Sequence, residues 1–115
     1  RSRLAMPETG IGLIPDVGGT WLLARAPGGS GLYLGLTGQQ MRAADAIHAR
    51  FSDVFMAAHK LDDLRARLID PKGGAVAEVV KGLSERAGPS ELEALRAQIE
   101  TDCARARVLF DRLSL

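Results

Sequence analysis

Glycine and proline cut the first third of this chain into pieces too short for any long helix or strand. Nine of the thirteen glycines and three of the five prolines fall in residues 1–38. They cluster in Met6-Pro7-Glu8-Thr9-Gly10-Ile11-Gly12-Leu13-Ile14-Pro15-Asp16-Val17-Gly18-Gly19-Thr20 and again in Pro27-Gly28-Gly29. Such residues interrupt both regular structures, which leaves room for two short helices, Trp21–Ala26 and Ser30–Leu36. Thr20 is the expected N-cap of the first, and Trp21, Leu22 and Leu23 are expected in the core. The chain starts at Arg1 on what reads as the end of a strand, so it is expected to be an internal piece of a longer protein.

The middle reads as a helix over Ala43–Ala49, a short strand over Ser52–Met56 with weak alternation, and a helix over Leu61–Ile69. A further helix is predicted for Ala75–Arg86, between Gly73-Gly74 and Gly88-Pro89. Ser90 then opens the longest helix, with Glu93 three residues on to complete a capping box. Its apolar stripe runs Leu92, Leu95, Ile99, Cys103, Ala106, Phe110, Leu113, in helical steps of three and four. Two units follow: residues 1–88 as core, and 89–115 as an amphipathic packing or docking helix.

Composition excludes several functions. Fifteen Lys and Arg against fourteen Asp and Glu give a net charge of +1, without the clustered basic excess of a nucleic-acid surface. No apolar run is long enough to span a membrane. A single cysteine excludes an internal disulfide framework and CxxC metal knuckles; Cys103, on the apolar stripe, is expected to be a buried, inert thiol. His48 and His59 lack the spacing of metal ligands, so structural or surface roles are expected and no metal is assigned. Gly10-x-Gly12 lacks the third glycine and the strand-to-helix order of a dinucleotide site.

Chemistry concentrates in Glu8 to Thr20. Glu8 sits just past a strand end, where α/β folds place their pockets. Asp16 is eight positions on, roughly 26 to 29 Å away if extended, and Gly10, Gly12 and Pro15 supply bends that could fold it back. Two carboxylates on one pocket wall can diverge in protonation and divide acid and base roles. By spacing alone, each acid reads more simply as a solvated loop carboxylate.

The run from Ala5 to Thr20 resembles the central segment of the crotonase superfamily, the enoyl-CoA hydratase/isomerase fold. Leu32-Tyr33-Leu34-Gly35-Leu36-Thr37-Gly38 is similar to that family's next helix and its Leu-Thr-Gly turn. Ala43-Ala44-Asp45-Ala46 and Phe51-Ser52-Asp53-Val54-Phe55 resemble the helix and strand after it. The resemblance implies an α/β class, as a partial crotonase fold holding the second half of the core followed by helices. Met-Pro-Glu-Thr together with Pro-Asp-Val-Gly-Gly points to the 3-hydroxyisobutyryl-CoA hydrolase branch, since many hydratases lack the aspartate and several isomerases lack the glutamate.

That branch implies Glu8 as nucleophile or general base in thioester hydrolysis and Asp16 as its partner. The substrate would be an acyl-CoA, with coenzyme A a part of the substrate and no separate cofactor. A homo-oligomer through the C-terminal helices is the implied protein contact. A bacterial source would imply the cytoplasm and a eukaryotic one the mitochondrial matrix. The alternatives are an enoyl-CoA hydratase or isomerase, and an inactive truncated copy serving as a folding or interaction module. The family's oxyanion-hole amides lie upstream of the segment matching Glu8, so these residues alone are expected to be inactive. Arg50 stands where the family usually has glycine, and a positive φ there would strain the turn by roughly 1 to 2 kcal/mol.

Overall fold

A computed structural model describes residues 2–70 and 72–113. Its elements are helices: α1 (Gly19–Arg25), α2 (Ser30–Thr37), α3 (Ala43–His48), α4 (Leu61–Ile69), α5 (Val76–Leu83) and α6 (Glu91–Leu113). Single 3-10 turns at Glu8–Ile11, Pro27–Gly29 and Ala58–Lys60 join them. α1 packs on α2, α3 on the start of α6, and α4 on α5. Leu34, Met41, Ala46, Ala49 and Leu92 form the buried core, with Leu23, Ala26 and Phe51 against it.

The helices stand close to their expected ranges, with three differences of physical origin. α1 starts one residue before Thr20, and its N-cap is Gly18 in the left-handed region (φ 85°) rather than a hydroxyl side chain. α5 is shorter than Ala75–Arg86 because Ser84 turns extended and the Glu85 amide donates to the Phe55 carbonyl at 2.8 Å. The strand expected over Ser52–Met56 reduces to this one antiparallel bridge, Phe55 to Glu85. Leu4 likewise bridges Met41 alone. A strand needs a neighbour along its length, and the described residues supply none at either place.

Two burial expectations are overturned. Trp21 is 60% exposed, its ring lying under the Arg25 guanidinium, 4.3 Å from the centroid. Cys103 is exposed rather than buried, on the part of α6 beyond its packing on α3. The radius of gyration is 19.1 Å, against about 13 Å for a compact chain of 100 residues. A helical portion of an α/β fold, without a sheet to lie on, accounts for this extension.

Sequence reasoning missed the tie between α3 and α6. The Asp45 carboxylate accepts the Arg42 amide at 3.3 Å, the Ser90 hydroxyl at 2.8 Å and the Leu92 amide at 3.1 Å. The Ser90 hydroxyl accepts the Glu93 amide at 3.1 Å, the capping half of the expected box. Burial works against charge on Asp45, but the hydrogen bonds from Leu92, Ser90, Arg42 and Glu91 more than offset it and hold its carboxyl below the usual range.

Candidate active site

The Glu8-to-Gly19 segment folds back on itself. Glu8 begins a 3-10 turn in which the Gly10 amide donates to the Pro7 carbonyl at 2.9 Å and the Gly12 amide to the Thr9 carbonyl at 3.2 Å. Gly12 is left-handed (φ 79°), and the Leu13 amide reaches back to the Glu8 carbonyl at 3.0 Å. The Thr9 hydroxyl donates to the Leu36 carbonyl at 3.3 Å, tying the turn to the end of α2.

The second acid is set by the start of α1. The Asp16 carbonyl accepts the Gly19 amide at 2.6 Å. A Cβ on Gly19 would lie 3.0 Å from the Met6 sulfur and 3.2 Å from the Pro15 Cβ, so glycine allows both segments to close on the helix. Met6 precedes Glu8 by two residues and Pro15 immediately precedes Asp16. Met6 and Pro15, on either side of the loop, thus meet at the start of α1, while the turn that carries Glu8 packs on the end of α2.

Their environments differ. Glu8 is half-buried, and its Oε2 is shielded from solvent with no hydrogen-bond partner among the described residues. Asp16 is exposed. Between Asp16 and the cap of α1, Val17 has φ 40° and is 94% exposed. A β-branched residue there is strained, and no periodicity or composition signals it. Arg50, at the corner after α3, has φ 63°.

Other polar groups lie elsewhere. A cavity of about 410 Å³ between α3, the 53–55 segment and the 84–93 connection is lined by His48, Asp53, Glu85 and Arg86 among others, and by neither Glu8 nor Asp16. The His48 Nε2 is buried without a partner among the described residues, and His59 is exposed. No group of three His, Cys, Asp or Glu among the described residues is placed to hold a metal ion. No helix among them is long and apolar enough to cross a membrane.

A chain of packed short helices carrying a Met-Pro-Glu turn and a Pro-Asp-Val-Gly-Gly cap has close counterparts among known proteins. The pattern of the enoyl-CoA hydratase/isomerase family matches residues 1–113. A mitochondrial 3-hydroxyisobutyryl-CoA hydrolase of Danio rerio is 37% identical over 94 residues, covering 82% of this chain and 25% of that protein. Its Mus musculus counterpart is 44% identical over 85 residues, 74% of this chain and 22% of that protein. The crystal structure of a carnitinyl-CoA dehydratase from Mycobacterium thermoresistibile superposes with a TM-score of 0.77 at 40% identity, over 87% of this chain and 28% of that one.

The class is thus the crotonase superfamily, present here as a partial fold without its core sheet among the described residues. Within that class, the chain belongs to the enoyl-CoA hydratase/isomerase family. It spans about a quarter of the length of the relatives it matches.

Proposed function

We propose that the polypeptide carrying this chain hydrolyses an acyl-CoA thioester of the 3-hydroxyisobutyryl-CoA type, with Glu8 as nucleophile or general base and Asp16 as its partner. The observation that carries this reading is the Glu8 Oε2, shielded from water with its lone pairs uncommitted at the fold-back of the loop. As nucleophile, that oxygen bonds to the thioester carbon, the carbon–sulfur bond breaks, and CoA leaves as the thiolate. The resulting mixed anhydride is opened by water more readily than the thioester. As base, it takes a proton from water, the hydroxide adds to the carbonyl, and the same thiolate leaves. Asp16, nearer solvent, holds the substrate hydroxyl or the attacking water. CoA is part of the substrate, and no further cofactor enters.

The likeness to relatives named mitochondrial supports the mitochondrial matrix for a eukaryotic source; a bacterial source would mean the cytoplasm. The likeness to a carnitinyl-CoA dehydratase favours a second reading, water addition or removal across an enoyl thioester. One chimera separates them: residues 1–113 replacing the matched segment of the mouse hydrolase. Thiol release from 3-hydroxyisobutyryl-CoA, lost in Glu8→Gln by about 100-fold or more, is expected. Hydration of an enoyl thioester without thiol release would establish the second reading. A chimera whose hydrolysis survives Glu8→Gln would remove Glu8 from the chemistry.

A further inference from the structure

Asp16 is joined to α1 by a four-residue reverse turn. The Asp16 carbonyl accepts the Gly19 amide at 2.6 Å, and both central residues are left-handed, Val17 at φ 40° and Gly18 at φ 85°. Positive φ at both central positions defines the type I′ form, which favours asparagine, aspartate or glycine at the first of them. Glycine meets that demand at position 18. Valine, being β-branched, is among the residues least suited to position 17.

Packing does not hold it there, since Val17 is 94% exposed among the described residues. The turn is fixed from its flanks instead. Pro15 sets the backbone immediately before Asp16, and the Leu22 amide donates to the Gly18 carbonyl at 3.1 Å as α1 begins. Gly19 is wedged between Met6 and Pro15, whose sulfur and Cβ stand 3.0 and 3.2 Å from where its own Cβ would lie. Such over-determination is what lets a strained residue persist. A glycine at 17 would relieve the strain, but it would place three glycines in a row directly after Asp16, with all their freedom to rotate. Valine removes most of that freedom, so the chain leaves Asp16 along the one course that the flanks impose.

We propose that Val17 is a positioning residue, whose strained turn holds the Asp16 carboxylate in the orientation from which it serves the substrate. This role rests on the hydrolytic reading above and adds to it a side chain that acts through Asp16 alone. Stability is given up locally to fix a functional group.

The chimera of residues 1–113 in the mouse hydrolase carries the test. Displacing a reacting group by about 1 Å can cost roughly 100-fold, so Val17→Gly should slow thiol release from 3-hydroxyisobutyryl-CoA at least tenfold. Its melting temperature should rise at the same time, whereas a merely structural residue would move rate and stability together. Val17→Ile, which keeps the branch, should keep the rate within about threefold. In an Asp16→Asn background, followed at raised enzyme concentration, Val17→Gly should cost no more than about twofold further. Hydrolysis that survives Asp16→Asn would remove the acid pair, and the positioning role with it. Hydrolysis lost in Asp16→Asn but kept in Val17→Gly would leave the pair standing and overturn the role of Val17 alone. Two other results would also overturn that role: a Val17→Gly loss undiminished in Asp16→Asn, which would put valine itself on the substrate, and a Val17→Ile rate as low as that of glycine.

Discussion

The Asp45 carboxylate accepts the Ser90 hydroxyl at 2.8 Å across a sequence separation of 45 residues. The same carboxylate receives amides from both helices it joins, Arg42 at the start of α3 and Leu92 at the start of α6. It therefore caps its own helix and anchors the next, and removing it leaves buried donors without acceptors. Asp45→Ala should destabilise the chain by about 3 kcal/mol and Ser90→Ala by about 1 kcal/mol. Urea unfolding at one fixed chain concentration measures both; equal effects would show that the carboxylate has no role beyond the cap.

Acid sensitivity follows from the same group. Its folded-state pKa is lowered, so the stability it contributes is fully present above its unfolded value near 3.9 and is lost as pH falls through the lower folded value. Glu85, through its hydrogen bond from Lys60, and Asp63, through its hydrogen bond from Arg67, are lowered as well, but both are at the surface. Asp45→Asn should therefore flatten most of the acid limb in a melt-versus-pH series between pH about 5 and 2, whereas Glu85→Gln should barely change it.

Two residues occupy backbone conformations suited to glycine. Arg50 at φ 63° and Val17 at φ 40° are both exposed, so replacing either removes strain without removing packing. Arg50→Gly should stabilise by up to about 1 kcal/mol, the relief of roughly 1 to 2 kcal/mol less the glycine entropy cost. Val17→Gly should stabilise at least as much, its β-branch being worse placed. Strain next to Asp16 is a reason to assay it too: in the chimera, a Val17→Gly gain in stability paired with a fall in turnover would tie the strain to positioning of that acid.

Local chemistry was legible in the sequence, and contacts over distance were not. Glycine pairs, proline and Ser90 marked the helix ends because capping and chain breaking are local. Glu8 and Asp16 stand out by residue type and motif, and the bend expected at Gly12 is a left-handed turn at the end of the Glu8 turn. Trp21 and Cys103 were misplaced because an apolar stripe says that a face wants cover, not whether cover is present in the chain. The strand at Ser52–Met56 failed for the same reason. Asp45 stood within a recognised run, but its partner Ser90 is remote, and only the fold brings them together.

α1 and α2 meet at a site intolerant of a methyl group. A Cβ on Gly31 would collide with the Leu23 backbone carbonyl, whereas one on Gly35 would meet only the Leu23 Cδ1, at 3.1 Å. Gly31→Ala should cost about 3 kcal/mol or more, since backbone must move. Gly35→Ala should be neutral or stabilising, helix propensity offsetting a small side-chain shift. The two urea midpoints decide it; similar shifts would mean that the helices can slide apart freely.

Catalysis by these 115 residues alone should be absent. On the proposed reading Glu8 and Asp16 would supply a nucleophile or base and its partner, but the thioester carbonyl must also be polarised, and each oxyanion donor that the resemblance places upstream of Glu8 would be worth about 2.7 to 4 kcal/mol of transition-state stabilisation. The buried apolar core is also small, with Leu34 and Met41 its largest fully buried side chains, so little apolar burial opposes the conformational entropy of the chain. Thermal melting should be broad and should shift upward with chain concentration as the exposed apolar residues of α6 associate. A thiol-release assay on the purified chain with 3-hydroxyisobutyryl-CoA should stay at the rate of the buffer blank. Release that depends on the protein and disappears in Glu8→Gln would mean that the folded loop carries a working site by itself, and a sharp melt independent of concentration would mean that the small core suffices.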